Sequence, residues 1–494
     1  MKVVIVASEA VPFAKTGGLA DVAGALPAAL DRLGHEVTLV LPCYRRAWKA
    51  GIPFEATGLT LRVPVGPKIV EGHVHSCRLP GSNARALLID QPGYFDRDQL
   101  YGRDGVDYPD NCERFVFFAR ATLEAVRLLD LRPDVVHCND WQAGLIPVYL
   151  DEIYRHRPGF AGVGTLMTVH NLAYQGAFWH WDMPLTDLDW RLFHWQALEF
   201  HGRLNFLKAG LVFADLLSTV SPTYAREIQT PEFGCGLDGL LRARGGDLHG
   251  IVNGIDPSAW SPVGDRFVLA RYNAETVAGG KAACKGQLQR RAGLPERLDV
   301  PLFAQIGRLD PQKGWDLLAG VADDLLKEDV QLVILGEGQP RYHELVDRLA
   351  DRYPGKIRAF LEFSNVLAHQ IEAGADAFLM PSLYEPCGLN QLYSLAYGTV
   401  PIVRATGGLA DTVVDATPEA LADGTATGFA FREATPRGLR AAIDRALALW
   451  ADPAAWERLA MTGMQADWSW DRSAAAYAAL YDEIRRRRSA RAAG

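Results

Sequence analysis

Short runs of Val, Ile, Leu and Ala recur along this chain and alternate with stretches of helical periodicity. In the first half the apolar runs fall at residues 3–7, 37–41, 86–89, 135–137, 166–170 and 217–220. The helix-length patterns include residues 19–33, 113–129 and 206–213. Runs without strict polar alternation suit strands buried on both faces, and intervening helices supply the crossovers that parallel pairing needs. The rhythm restarts after a Gly- and Pro-bearing connection at residues 253–263. Runs at 302–306, 331–335, 377–381 and 400–403 are then separated by helical patterns at 315–326, 341–352 and 390–396. Two α/β domains follow. Three last helical patterns, 437–450, 453–464 and 472–487, have no strand after them and are expected to brace the two halves. The arginine run 485–488 is expected to end its helix as a solvated tail.

The 494-residue length fits about two to four domains and excludes a single small binding module. Lys+Arg 51 against Asp+Glu 59 leaves a net charge of −8, the wrong footprint for a protein whose main task is to bind nucleic acid or an anionic membrane. An anionic ligand therefore needs a local basic cluster. Seven scattered cysteines without a CxxC pair argue against a disulfide framework or a zinc module and for a reducing, cytoplasmic setting. The N-terminal apolar run reads as a first strand, not a signal segment, and no apolar run reaches the ~18 residues of a membrane span.

One hexapeptide occurs twice: Thr16-Gly17-Gly18-Leu19-Ala20-Asp21 and Thr406-Gly407-Gly408-Leu409-Ala410-Asp411. Each copy follows an apolar run and opens a helical pattern, which puts a Gly pair where backbone N–H groups are free to hold an anion. A convergent tight turn explains the second copy equally well. Lys15 adds a charge to the first. The order differs from a GxxxxGK[ST] phosphate loop, and a surface lysine beside a turn is the plain alternative.

Arg308-Leu309-Asp310-Pro311-Gln312-Lys313-Gly314 lies at the end of another strand-like run and presents a guanidinium and an ammonium together, a pair suited to a diphosphate leaving group. A solvated basic face is the alternative. Glu385-Pro386-Cys387-Gly388-Leu389 also follows a strand-like run. Its backbone N–H groups and the Glu385 carboxylate suit a polyhydroxylated ligand, with Cys387 expected as a packed residue and not a catalytic thiol. Asn139-Asp140-Trp141 and Val169-His170-Asn171 end two more runs; a histidine in such a place is often only a structural hydrogen-bonding residue. Tyr174, Phe178, Trp179, Trp181, Trp190, Phe193 and Trp195 crowd one segment, as a carbohydrate platform or as core. No metal-binding motif is visible, and Gly336-Glu337-Gly338 lacks the third glycine of a dinucleotide fingerprint.

From Lys15 to Asp411, through Asn139-Asp140-Trp141, Val169-His170-Asn171, Val252-Asn253-Gly254-Ile255-Asp256, Arg308–Gly314 and Glu385–Leu389, the chain resembles the bacterial glycogen synthases and plant starch synthases. The resemblance implies a GT-B fold with two Rossmann-like domains facing across a cleft: residues 1–252 on the acceptor side, 253–470 binding the nucleotide sugar, and 471–494 packing back on the first domain. It implies transfer of glucose from ADP-glucose to the non-reducing end of an α-1,4-glucan such as glycogen, with retention and with neither metal nor cofactor. Lys15, His170, Arg308, Lys313 and Glu385 would be the catalytic set. Gly17, Gly18, Asp21, Asp140, Asn171, Asn253, Phe363, Cys387, Gly388, Leu389, Thr406, Gly407, Gly408 and Leu409 would complete the donor site, with the second Gly pair capping the phosphates. Tyr174, Trp179 and Trp181 would meet the acceptor. Homo-oligomerisation is left open.

On this resemblance the acceptor hydroxyl attacks from the face the diphosphate leaves, with leaving-group phosphate as base; a double displacement through paired carboxylates ranks second. Phe363 stands where many bacterial members carry a tyrosine, so stacking on the base survives but a phenol hydrogen bond does not. UDP-glucose or another acceptor is the alternative within the class. A non-catalytic glucan-binding protein would be expected to have lost the charged residues retained here.

Overall fold

The computed structural model describes residues 1–103 and 105–493. Two units divide the chain. The first comprises Met1–Val220, Ala225–Gly254 and a C-terminal helix from Trp470; the second comprises Ser221–Tyr224 and Ile255–Ser469. In the first unit the main elements are β1 (Lys2–Val6), α1 (Gly18–Arg32), β2 (Glu36–Pro42), β3 (Glu55–Val65), β4 (Lys68–Arg78), β5 (Arg85–Asp90), α2 (Asn111–Leu128), β6 (Val135–Asn139), β7 (Gly164–Val169), α3 (Phe206–Phe213), β8 (Leu216–Thr219) and β9 (Leu248–Gly250). They build a nine-stranded sheet in the order β9-β8-β7-β6-β1-β2-β5-β4-β3. Val3 pairs with Val37 on one side and with Val135 on the other, both in parallel. Within this sheet the β3–β4 and β4–β5 pairs are antiparallel, and β5 pairs in parallel with β2.

The apolar runs are continuous because both faces of these strands are covered. Val3 and Ile5 enter a core with Val22, Leu26 and Leu30 of α1, while Val4 and Val6, equally buried, point the other way. The β3–β4 hairpin escapes an apolar-run reading because its burial alternates, so its sequence mixes polar and apolar residues.

The second unit runs α4 (Val277–Ala292), β10 (Leu302–Ile306), α5 (Trp315–Lys327), β11 (Gln331–Leu335), α6 (Pro340–Arg352), β12 (Ile357–Phe360), α7 (Asn365–Gly374), β13 (Ala377–Met380), α8 (Asn390–Ala396), β14 (Val400–Arg404), α9 (Gly407–Thr412), β15 (Phe429–Phe431), α10 (Pro436–Trp450) and α11 (Pro453–Gln465). Its sheet is wholly parallel, in the order β12-β11-β10-β13-β14-β15. Side chains of Ser364, Thr435 and Asp452 cap α7, α10 and α11, each accepting a bond from an N–H of the first turn.

Each unit reverses winding once. The first sheet grows from β1 through β2 on one side and resumes on the other at β6; the second does the same from β10 to β13. At such a reversal the loops leaving adjacent strands diverge and open a crevice at the carboxyl ends. These two reversals place the polar motifs.

Helices α10 and α11 pack on elements of the second unit, whereas α12 (Trp470–Ala493) packs against α1, β6 and β7 of the first. The second half of the arginine run in α12 corrects the expectation of a solvated tail, whereas Arg485 and Arg486 are exposed. Arg488 Nε donates to the carboxylate of Asp215 at 2.9 Å, Arg491 reaches the same carboxylate at 3.2 Å, and Arg487 bonds Asp247 at 2.7 Å. Asp215 is buried beside β8 and also accepts from the Thr165 N–H, so the run anchors the helix.

Candidate functional site

In the first unit the loop after β1 carries Glu9, Lys15, Thr16 and Gly17; Asp140 follows β6 directly, and His170 and Asn171 follow β7. Because β1, β6 and β7 are adjacent and parallel, their carboxyl ends bring these groups together. Asp140 has φ +56°, in the left-handed region that costs a non-glycine residue strain. That backbone turns its carboxylate under the His170 N–H at 2.7 Å. Burial pushes the Asp140 carboxyl up to about 7; the N–H groups of His170 and Asn171 oppose the shift and the Glu9 charge adds to it.

The side-chain amide of Asn139 donates to the Val6 carbonyl, so its oxygen faces His170 Nε2 at 2.9 Å and assigns the proton to that nitrogen. Burial pushes His170 down to about 3, leaving a neutral imidazole at pH 7. Asn171 Oδ1 accepts from the Ala173 N–H. Lys15 is held by Asp21, on the first turn of α1, at 2.6 Å. Burial raises the Asp21 carboxyl, with Lys15 opposing. Asn253 is buried, and its Oδ1 has no hydrogen-bond partner among the described residues.

The aromatic segment divides. Phe178 packs with Trp141 and Phe206, whereas Tyr174, Trp179, Trp181, Trp190 and Trp195 are exposed. Trp181 contacts Trp179 and Trp190 edge-on at centroid distances of 6.5 and 5.8 Å, an open aromatic surface and not a core.

In the second unit the loops after β10 and β13 meet at the winding reversal. Lys313 Nζ lies 2.6 Å from Glu385 Oε2, and the Ser382 hydroxyl donates to the same oxygen at 3.0 Å. The Gln312 amide donates to the Tyr384 carbonyl, which ties the two loops together. Arg308 is exposed, pairing with Asp310 at 2.8 Å and donating to Gln312 Oε1 at 2.8 Å. Asp310 also caps the Lys313 N–H, which sets the direction in which the lysine leaves the loop. Cys387 is buried as expected of a packing residue, Gly388 has φ +71°, and Leu389 opens α8. Phe363 is 86% exposed, an uncovered ring.

The two copies of the hexapeptide do not play the same part. A Cβ on Gly17 would meet nothing within 4 Å, whereas one on Gly407 would lie 2.0 Å from the Glu385 carbonyl and one on Gly408 2.0 Å from that of Cys387. The Gly408 N–H bonds to the carbonyls of Glu385 and Pro386, and the Leu409 N–H to that of Thr406. The Gly408 N–H thus clasps the 385–389 loop, while that of Leu409 closes its own turn. Buried Thr406 precedes them, and Asp411 takes the N–H and hydroxyl of Thr223, both at 2.7 Å.

Sequence reasoning passed over Glu9 and, though Asn139, Gln312 and Ser382 lie in its motifs, gave them no role of their own; all four touch the expected residues. The one sequence signal for Glu9 is an acidic residue just past the first apolar run, nine positions before the Gly18 that opens α1. Among the described residues no group of three His, Cys, Asp or Glu side chains is placed to hold a metal ion, and no helix is long and apolar enough to cross a membrane.

Two doubly wound units, each with polar loops at its reversal and one offering clustered cations, define a glycosyltransferase of the GT-B class. The family model for the starch synthase catalytic domain matches residues 2–243, and that for glycosyl transferases group 1 matches residues 287–461. A glycogen synthase from Anaeromyxobacter sp. (strain Fw109-5) is 50% identical over 98% of this chain and 99% of its own. One from Thioalkalivibrio sulfidiphilus is 49% identical over 98% and 100%. The catalytic domain of starch synthase IV from Arabidopsis thaliana, solved with ADP and acarbose, superposes with a TM-score of 0.89 at 32% identity, over 98% of this chain and 99% of that one. Sucrose-phosphate synthase from Thermosynechococcus elongatus, at 18% identity and TM-score 0.59, shares the fold alone. The chain belongs to the glycogen synthase and starch synthase family, and its activity is glucan synthesis by glycosyl transfer.

Proposed function

We propose that the chain transfers glucose from ADP-glucose to the non-reducing end of an α-1,4-glucan with retention, without a metal or other cofactor, and that the residues described above carry the reaction. The observation that bears most weight is the pairing of Lys313 with Glu385 at the winding reversal of the second unit, with Arg308 on the same loop. A departing diphosphate develops charge on its bridging oxygen. Arg308 and Lys313 supply compensating charge in place before the bond breaks. Glu385, buried with one oxygen on Lys313 and Ser382, would accept from glucose hydroxyls through its other oxygen.

In the first unit the neutral His170, and Asp140, whose raised pKa leaves it partly protonated near pH 7, would hydrogen-bond the glucose, with Asn171, Asn253, Lys15, Gly17, Gly18 and Asp21 around it. The bond from C1 to the diphosphate oxygen breaks as the acceptor hydroxyl approaches on the same face, and the acceptor proton passes to the leaving phosphate. Tyr174, Trp179 and Trp181 are exposed, and Trp179, Trp181 and Trp190 touch in series; such rings suit the faces of glucan rings. The reading is supported by the relatives, which are glycogen synthases, and by the starch synthase solved with ADP and acarbose.

The test is ADP release from ADP-glucose with and without glycogen, beside the same pair of reactions with UDP-glucose. Glycogen-dependent release that favours ADP-glucose is expected. Preference for UDP-glucose would replace the donor, and Phe363, whose ring has no hydroxyl, is the first residue to examine in that event.

A further inference from the structure

Glu9 sits at the end of β1, 4% exposed, and among the described residues it forms no ion pair. Four donors hold it instead. The Thr16 N–H bonds Oε2, the Thr16 hydroxyl lies 2.8 and 3.0 Å from the two oxygens, and the Gly17 N–H reaches Oε2 at 3.2 Å. The Tyr101 hydroxyl reaches Oε1 at 3.0 Å and lies 2.7 Å from the Ser8 hydroxyl. Helix α1 begins at Gly18, and its cap residue Gly17 has no side chain with which to satisfy the free N–H groups of the first turn. Glu9 instead takes the two N–H groups that precede that turn, those of Thr16 and Gly17. A buried carboxylate without a cation is costly, and a neutral side chain would hold a turn at lower cost. The charge therefore calls for a further reason, and the turn it holds carries Lys15, Gly17 and Gly18.

We propose that Glu9 is a positioning residue for the donor site: by taking the Thr16 and Gly17 N–H groups onto its own carboxylate, it orients the Lys15–Gly18 turn and leaves the Gly18 and Leu19 N–H groups as the ones that meet the anionic ligand. This rests on the reading that the turn binds the donor. Glu9 touches no substrate in this role; it acts through the backbone it fixes.

Glu9→Ala and Glu9→Gln are compared with the wild-type chain by hydrogen exchange over residues 16–19 and by steady-state kinetics. In Glu9→Ala the Thr16 and Gly17 amides exchange faster while the rest of the first unit keeps its protection. Donor KM rises about tenfold and kcat falls about 10²-fold, the scale of a misplaced binding group, with glycogen KM within about twofold of wild type. Glu9→Gln, which keeps an acceptor oxygen in the same place, restores most of the protection and part of kcat. Unchanged exchange in Glu9→Ala overturns the proposal, as does equal loss in donor and acceptor KM with Gln no better than Ala. Should the wild-type chain release no ADP from either donor, the reading of the function fails, and the exchange comparison still decides whether Glu9 fixes the turn.

Discussion

Lys313 and Glu385 lie 72 positions apart in sequence and 2.6 Å apart in space, with Glu385 almost wholly buried. Removing the ammonium does two things at once: it withdraws charge from the place where a diphosphate would leave, and it strips a buried carboxylate of its ionic partner. Lys313→Ala is expected to lower kcat by about 10² to 10³ while the far-UV spectrum stays native. Thermal melting should show a smaller loss, because Ser382 still holds the carboxylate. Glycogen-dependent ADP release checks the first effect, and near-normal kcat would remove Lys313 from the reaction. Arg308, Lys313 and Glu385 were legible as charged residues in Pro- and Gly-punctuated loops at strand ends. Their pairing was not, since nothing in either loop states that β10 and β13 are neighbours.

At the scale of elements the duplicated hexapeptide is the instructive case. The first copy opens a helix of 15 residues and the second one of 6. Gly17 has φ −147°, extended backbone open to any residue, whereas Gly407 has φ +45° and sits against the Glu385 carbonyl. Gly17→Ala is expected to melt as wild type does. Gly407→Ala is expected to lower Tm by about 2–4 °C or more, the equivalent of about 1 kcal/mol in a unit of this size, because its backbone conformation and its neighbour both oppose a Cβ. Paired melting curves check this, and equal Tm values would refute the difference. The helices at 206–213 and 390–396 were legible to the residue from periodicity. The β3–β4 hairpin was not, because one exposed face breaks up its apolar pattern. Nor was short β15, too brief to show any period.

Across the whole chain, His137 on β6 joins residues 344 positions apart. Its Nδ1 lies 2.8 Å from the Tyr481 hydroxyl of α12 and its Nε2 2.6 Å from the Thr168 hydroxyl. Burial pushes its pKa down from 6.5 to about 3. Between those values the unfolded chain binds a proton that the folded chain refuses, so stability falls as pH drops from about 6.5 towards 3. Asp140 works in the opposite sense: raised from 3.8 to about 7, it favours the fold at low pH and loses that contribution as pH rises through about 7. Glu372, raised by burial to about 8, adds to the same side in the second unit. His137→Gln keeps polar atoms for both partners and is expected to shift the slope of stability against pH between about 6 and 4 by one proton's worth, about 1.4 kcal/mol per pH unit, in the direction of greater stability at low pH. Denaturant unfolding followed over that range checks the slope; an unchanged slope would mean that His137 titrates alike in both states.

The sequence by itself determined that this chain builds two parallel α/β units, because strands covered on both faces must be apolar at every position and helices between them must repeat near 3.6 residues. It determined as well which loops carry charge, because Gly and Pro mark the strand ends. Only the tertiary structure decided which of those loops meet, since strand order is a property of the sheet and not of any segment. For the same reason it alone decided that one TGGLAD turn leans on Glu9 while the other clasps the 385–389 loop. A turn's local conformation follows from its own residues, but the direction of its N–H groups depends on which carboxylate or carbonyl the fold brings beside it.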